Sequence, residues 1–460
     1  MKLLIIGAGG AGTSAAKIIQ LRGSESDWVD KVVVADYDEA RAKEVAENIC
    51  GGGKFVAAKI DAKDPESIKA VVKEHGITFA MNACDPRMNE CIFDTCLEAG
   101  IGYLDCAMTL GTPHPEKPYE LSNIKLGDYQ FAKQKEWEAS GNIAICGSGV
   151  EPGMADVFAK YAEKHLFDKI DEVNVRDGDN YGNTDSDFGF SVWTTIEECL
   201  APPVIWEKNE EHPDGHWFCT EQFSEPEIFN FPGGIGDVEV INVEHEEVLL
   251  VPREIDCNRC TFKYGVPADF RKKLSVLFEY GLSDKTTKIK VGDSEITPRD
   301  FVCKVIPSPV DATMTMTGKG CAGTWVTGWK DGKYRSVYLY QIADNQECVK
   351  KYTTNSVVAQ TAVGPVIMME LIAKGIWSDA GAWGPEHFDP DPFVERLAKY
   401  EFPAGIREMD SEYADMINEQ NMFCLLYTSN TSGFTKRKTL YRLWQYRVSY
   451  FFFVSAIAFP

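Results

Sequence analysis

Over the first third of the chain, apolar residues come in short unbroken runs. Each run is followed by a stretch in which they recur every three or four positions. The runs are "KLLIIGA" at 2–8, "KVVVADYD" at 31–38, "GKFVAAKIDAKD" at 53–64, "TFAMNACDP" at 78–86, "IGYLDCA" at 101–107 and "NIAICGSG" at 142–149. Between them, 11–23, 39–49, 67–76, 87–100 and 126–141 carry the helical period. Strands buried on both faces that alternate with amphipathic helices specify a parallel, doubly wound sheet. A further helix is expected at 152–166, and there the rhythm changes. "IDEVNVRDGD" at 170–179, "HEEVLLVPREI" at 245–255, "TKIKV" at 287–291 and "YRSVYLYQIAD" at 334–344 read as strands of a mixed or antiparallel sheet. Helices at 267–281 and 297–306 interrupt them. The run "TTNSVVAQTAVGPVIMMELIAKGIW", 353–377, is a long, nearly apolar helix that is expected to pack back on the first unit.

The expected fold is therefore α/β: an N-terminal Rossmann doubly wound parallel sheet and a second α+β domain carrying a mixed sheet. The first unit takes 1–150 plus the returning segment 351–405, and the second takes 151–350. Residues 423–460 fit neither. After Glu419 there is no acid, while Lys436, Arg437, Lys438, Arg442 and Arg447 sit among aromatics. The closing run "YFFFVSAIAF" is too short to span a bilayer. This tail reads as foreign to the fold rather than as a membrane-surface segment.

The first turn is Gly7-Ala8-Gly9-Gly10-Ala11-Gly12, a G-x-G-x-x-G between a strand and a helix. In that context Gly7 allows a tight turn and Gly9 admits a pyrophosphate. Gly10 and Ala11 open the helix over the phosphates, and Gly12 lets that helix approach its strand. Asp36 ends the second strand, where an acid accepts from a ribose 2′-OH and repels a 2′-phosphate. No arginine directly follows it, so NAD(H) is expected rather than NADP(H); the plainer reading is that Asp36 caps a helix. Ligands in such sheets lie beyond the carboxyl ends of the strands. Asn82, Ala83, Cys84, Asp105, Cys106 and Thr109 are therefore expected around a nicotinamide. Cys106 is carried as a candidate catalytic thiol, although packing is the plainer reading of Cys84 and Cys106 alike.

A second glycine turn, Gly147-Ser148-Gly149-Val150-Glu151-Pro152-Gly153, ends the sixth strand. It cannot hold the same pyrophosphate. Gly149 would frame the nicotinamide side, and Glu151 could orient or protonate an amine. Spacing alone leaves this level with a helix-capping acid beside Pro152. Asp177 and Asp179 are possible amine contacts, with a solvated strand end as the plainer reading. Arg299 and Arg335 could receive a substrate carboxylate, or be paired at the surface. His165, His245 and the other histidines show no ligand spacing, and no metal is expected.

The formal net charge of −23 leaves no basic stripe for nucleic acid and suits a cationic substrate. Fourteen cysteines lie without a framework and no secretory signal precedes them, so reduced thiols in a cytoplasm are expected. Cys257 and Cys260 form a lone C-x-x-C, better read as structural thiols than as a zinc site.

The glycine loop and the turn "GVEPG" at 149–153 together resemble the saccharopine dehydrogenase family, whose members make or break C–N bonds by hydride transfer at an imine carbon. That family more often has aspartate where Glu151 stands. Later segments are similar to its carboxynorspermidine-forming branch: 188–210, "GWKDGKYRSVYLYQIADNQEC", "AVGPVIMMELIAKGIWSDAGAW" and "HFDPDPFVERLAKYEFP". A fainter likeness is to its lysine 6-dehydrogenases. The similarity covers most of 1–405. It implies condensation of aspartate semialdehyde with a diamine and reduction of the imine, or an activity in lysine metabolism. It also implies a small amino acid or amine as substrate, no membrane partner, and a homodimer through the second sheet. The polyamine-forming members commonly use NADPH and carry an arginine after the second strand, where this chain has "ADYD". A function from another class, a non-catalytic NAD-binding scaffold, would keep the same fold.

Overall fold

The computed structural model describes residues 1–183, 186–307, 309 and 314–409, together with the backbone of Gln420–Asn421. The atypical tail, 423–460, lies outside the described residues. Six apolar runs form β1 (Lys2–Ile6), β2 (Lys31–Asp36), β3 (Phe55–Lys59), β4 (Phe79–Asn82), β5 (Gly102–Asp105) and β6 (Ile143–Ile145). They are parallel, and a seventh parallel strand, Gly381–Trp383, joins beyond β6. The order is Gly381–Trp383, β6, β5, β4, β1, β2, β3, so β1 and β4 sit side by side where the winding reverses. The side chains of Leu3 to Ile6 and Val32 to Val34 are fully buried. Each contributes about 1.5–3 kcal/mol of apolar burial, which is why these runs form central strands.

The second sheet is mixed. Its strands run in the order Glu227–Phe231, Gly236–Asn242, Arg259–Tyr264, Lys169–Asp179, Lys319–Lys330, Lys333–Asp344 and Ala404–Glu408. Arg259–Tyr264 is parallel to Lys169–Asp179, and the other pairings in that order are antiparallel. The segment 245–255, expected as a strand, is instead the helix Glu247–Glu254. Its burial groups Val248, Leu249, Leu250 and Val251 on one short buried turn rather than on alternating faces. The expected helix at 126–141 divides into Asp128–Phe131 and Gln134–Ser140.

The apolar helix is Ser356–Ala373. By length and composition it could cross a membrane, but 72% of that window is buried within the molecule. It lies against the first glycine loop, where a Cβ on Gly10 would come 3.1 Å from Val358 Cγ1. It also lies on the second turn, where a Cβ on Gly364 would come 2.5 Å from the Gly149 carbonyl oxygen. The returning chain then serves both sheets, Gly381–Trp383 the first and Ala404–Glu408 the second.

Candidate active site

The dinucleotide end is built from β1, its turn and the helix Gly10–Leu21. Gly7 has φ +103°, and a Cβ on Gly12 would lie 1.9 Å from the Gly7 carbonyl oxygen. Nothing lies within 4 Å of a Cβ built on Gly9, and no side chain caps the helix there. An uncapped helix N-terminus facing open space fits a pyrophosphate. Asp36 does not cap the next helix, because Asp38 does that by accepting from Ala40 and Arg41. Asp36 accepts from the Ala8 amide at 2.8 Å and from the Asp38 amide at 3.0 Å. Sequence reasoning looked for an arginine directly after β2 and missed Arg41. From the helix Glu39–Lys43 it donates to the Ala8 carbonyl at 2.9 Å and to Thr13 Oγ1 at 3.3 Å, bringing a guanidinium to the ribose side of the loop.

At the other end, β4 and β5 end in a buried network. Asn82 donates to Asn89 Oδ1 at 2.8 Å and to the Tyr103 hydroxyl at 3.1 Å, and accepts from the Cys84 amide. A Cβ on Gly7 would meet the Ala83 carbonyl at 2.8 Å, so Ala83 borders the loop from below. Asp105 accepts from Tyr103, Gln130 and the Gly147 amide at 2.9, 2.6 and 2.7 Å, tying β5 to the second turn. Burial pushes its carboxyl up to about 7 against the pull of these bonds. Burial pushes the thiols of Cys84 and Cys106 up to about 12, so at neutral pH both remain thiols. Cys257 and Cys260 face the buried core as well.

In the second turn, the helix starts at Met154 and its cap is served by Asp156, which accepts from the Gly153 amide at 2.6 Å. Glu151 is therefore released from the capping role. Its Oε1 is buried without a partner, and its other contact is a carboxyl–carboxyl hydrogen bond with Asp177. Asp177 is not a solvated strand end. It lies in the sheet interior, in register with Tyr264 on one side and Ala322 on the other. Burial and the neighbouring Asp177 and Glu247 hold Glu151 well above the usual carboxylate range. Burial and Asp179 push Asp177 up to about 7, and Asp179 itself is raised by burial to about 6.

The acids continue. Burial pushes Glu198, Glu244 and Glu247 each up to about 8, and Glu246 and Asp156 are raised for the same reason. His245 sits among them, its ring stacked 3.8 Å from that of Phe262 and its Nδ1 2.5 Å from Glu247 Oε2. Ligand atoms of His245, Glu246 and Glu247 lie within 4.8 Å of one another. Cations near the array are few: His245 acts on Glu198 and Glu246, Lys285 acts on Glu244 and pairs with Glu197 together with Arg299, and Arg335 is held by Glu408 and the Leu166 carbonyl. Neither arginine is free for a substrate carboxylate. His165 pairs with Asp391 near the surface. Buried carboxylates left without cations must take up protons or a cationic ligand.

These raised acids set a stability window. The folded chain binds more protons than the unfolded one between the ordinary carboxyl range near 4 and the folded values of about 6 to 8. Their contribution is thus full below that range and lost as pH rises through it. The ligand-free protein should melt lower at pH 8.5 than at pH 5.5, by on the order of 5 °C. Scanning calorimetry at the two pH values checks this, and an equal or higher melting point at pH 8.5 would contradict it.

Two family models match the chain: "Saccharopine dehydrogenase NADP binding domain" over residues 3–145 and "Saccharopine dehydrogenase C-terminal domain" over 149–402. The chain is 28% identical to a carboxynorspermidine synthase of Vibrio alginolyticus over 421 residues, 89% of this chain and 98% of that one. It is 28% identical to a carboxyaminopropylagmatine dehydrogenase of Synechocystis over 406 residues, 87% of this chain and 96% of that one. Among solved structures, apo saccharopine dehydrogenase (L-Glu forming) of Saccharomyces cerevisiae superposes with a TM-score of 0.61 at 13% identity, covering 89% of this chain and all of that one.

Proposed function

Since the chain belongs to the saccharopine dehydrogenase family and is an NAD(P)-dependent oxidoreductase acting on C–N groups, we propose that it reduces the imine of aspartate semialdehyde with a diamine. The observation that carries the amine is the acid array from half-buried Glu151 and Asp177 through buried Glu247 to half-buried Glu198, whose acids outnumber the cations that act on them. Two relatives bear the names carboxynorspermidine synthase and carboxyaminopropylagmatine dehydrogenase, which supports the same reading. The amine and the aldehyde lose water to form a C=N bond. A nicotinamide cofactor held at the Gly7–Gly12 loop would supply hydride for the imine carbon. Glu151 and Asp177 share a proton beside the amine and deliver it to the imine nitrogen, so that one C–H and one N–H bond form and a secondary amine leaves. Gly149 and the helix Ser356–Ala373 close the crevice against water. Cys106 acts as wall, not nucleophile.

The cofactor loop supports use of NAD(H) through Asp36, with Arg41 placed to admit NADP(H). Arg41→Ala is expected to lower kcat/KM for NADPH about tenfold more than for NADH, the scale of one charge-assisted phosphate contact. Steady-state kinetics with both cofactors checks it, and equal losses would make Arg41 a brace of the loop only. A homodimer in the cytoplasm belongs to the same reading, and light scattering tests the dimer.

The test of function is oxidation of NADH or NADPH by aspartate semialdehyde with 1,3-diaminopropane or putrescine, set against 2-oxoglutarate with lysine. Turnover with the first pair alone is expected. Turnover with the second alone would move the enzyme to lysine metabolism. Tight cofactor binding without turnover by any pair would favour a scaffold.

A further inference from the structure

The helix Glu247–Glu254 is entered through three titratable residues in a row, His245, Glu246 and Glu247. His245 and Glu246 keep 6% of their surface and Glu247 none. The backbone is already helical at Glu246, with φ −72° and ψ −32°, and the turn brings the three side chains to one point. His245 Nδ1 is the centre of the group. Glu247 Oε2 lies 2.5 Å from it and Glu246 Oε2 lies 3.5 Å from it. Among the described residues, the Glu247 carboxylate has no donor outside this group, and its Oε1 is buried with no donor at all.

The group is braced from outside. Glu246 Oε1 accepts from the Met108 amide at 3.1 Å, while its Oε2 faces His245. The Phe262 ring stacks on the imidazole, with centroids 3.8 Å apart and planes 8° apart, and so fixes its plane. A cavity of about 30 Å³ reaches Met108 and Glu246, with room for one water.

One bridging proton can serve His245 Nδ1 and Glu247 Oε2, but it leaves Glu247 Oε1 bare in the interior, which is costly. A divalent ion serves both carboxylates and the imidazole together. One nitrogen with carboxylate oxygens is a donor set of zinc and its neighbours. Bonds of about 2.0–2.2 Å to a tetrahedral ion place its donors about 3.3 Å apart. The 3.5 Å between His245 Nδ1 and Glu246 Oε2 is close to that edge. Glu247 Oε2 must withdraw by less than about 1 Å as the proton between it and His245 is released. Calcium and magnesium want six or more donors, nearly all oxygen, and a single imidazole with two carboxylates does not supply them.

We propose that His245 Nδ1, Glu246 and Glu247 hold one divalent transition-metal ion of the zinc class, with water from the cavity as a further ligand. Its work is structural. Through Glu246 it ties the helix Glu247–Glu254 of the second unit to the Met108 amide, which follows β5 in the first. It takes Glu246 and Glu247 and leaves Glu151, Asp177 and Glu198 for an amine, so it stands or falls apart from imine reduction. Three adjacent residues show no ligand spacing along a sequence. They converge here because a helix start is buried.

The test uses the full chain without an affinity tag, stripped with EDTA and dialysed. Calorimetric titration with zinc chloride is expected to show one site per chain. Zinc at about 100-fold over its Kd should raise the melting point by on the order of 5 °C. Glu247→Gln and His245→Asn should each weaken zinc by at least about 100-fold, more than loss of an outer-shell partner costs. Cobalt(II) in place of zinc separates this site from the cysteines. Nitrogen and oxygen donors give weak visible bands without a thiolate charge-transfer band, and that spectrum in the wild type decides the point even where a variant fails to fold. No zinc binding by the stripped wild type, a thiolate charge-transfer band from the bound cobalt, or unchanged zinc affinity in both variants would overturn the site. No amine or aldehyde enters the test, so failure of the proposed reaction leaves its outcome untouched.

Discussion

Glu151→Gln lowers kcat by about 10²–10⁴-fold, the usual worth of a positioned general acid. The side chain keeps its shape but cannot supply the proton. The loss should fall on kcat and not on affinity for the nicotinamide cofactor, because Glu151 stands on the turn after β6 while the dinucleotide loop follows β1. A pH signature accompanies it. Imine reduction needs the Glu151–Asp177 pair in its singly protonated form. Below the value of about 7 to which Asp177 is raised both carboxyls hold protons, so that form appears as pH rises through it, while Glu151, held well above the usual carboxylate range, keeps its proton. The wild-type rate should therefore fall on the acid side, below about 7, and the variant should lose that limb. The two groups titrate as a unit, so the limb belongs to the pair and not to one residue. Stopped-flow oxidation of NADH across pH 5.5–9 measures both effects. A kcat within about threefold of wild type with the limb intact would reduce Glu151 to a wall of the crevice.

Gly12→Val abolishes dinucleotide binding, with a loss of affinity of at least about 100-fold. The added Cβ alone would stand 1.9 Å from the Gly7 carbonyl oxygen and 3.1 Å from Ile5 Cγ2. The helix Gly10–Leu21 must then lift from β1 and carry its N-terminus away from the phosphates. Overpacking of this kind costs about 1–3 kcal/mol, so the melting point falls too. Gly9→Ala separates binding from folding. Its Cβ meets nothing within 4 Å in the protein, and its φ of −73° is open to any residue. Its melting point should match wild type while cofactor affinity drops, because the methyl enters the space assigned to the pyrophosphate. Fluorescence titration with NADH, run beside thermal melts, reads both variants. Unaltered NADH affinity in Gly12→Val would mean that the dinucleotide does not lie on this loop.

The parallel sheet was legible because strands buried on both faces leave continuous apolar runs, and because a glycine pattern between strand and helix has a local cause. The second sheet was less so. The strand Lys319–Lys330 carries Gly320, Gly323 and Gly328, which interrupt any alternation. Yet a Cβ on Gly323 would lie 2.2 Å from the Leu339 carbonyl, and one on Gly328 2.2 Å from that of Lys169, so neighbouring strands require these glycines. The strand Gly381–Trp383 is only three residues long, too short to show a period. In the site, Glu151 could be weighed but not resolved until Asp156 was seen to hold the cap. The acid array was out of reach, since 151, 177, 198 and 244–247 are brought together only by the fold. The one local hint was the triplet "HEE" at 245–247, charged side chains heading an otherwise apolar run.

The central claim is hydride delivery to the carbon of a C=N bond formed in the crevice beside Glu151. The direct measurement is mass spectrometry of the product made from aspartate semialdehyde, a diamine and NADH or NADPH carrying deuterium on the transferable face. The account predicts a secondary amine joining both substrates, with one deuterium on the carbon that was the aldehyde. Deuterium found in an alcohol from the aldehyde alone, with no C–N-linked product, would contradict it.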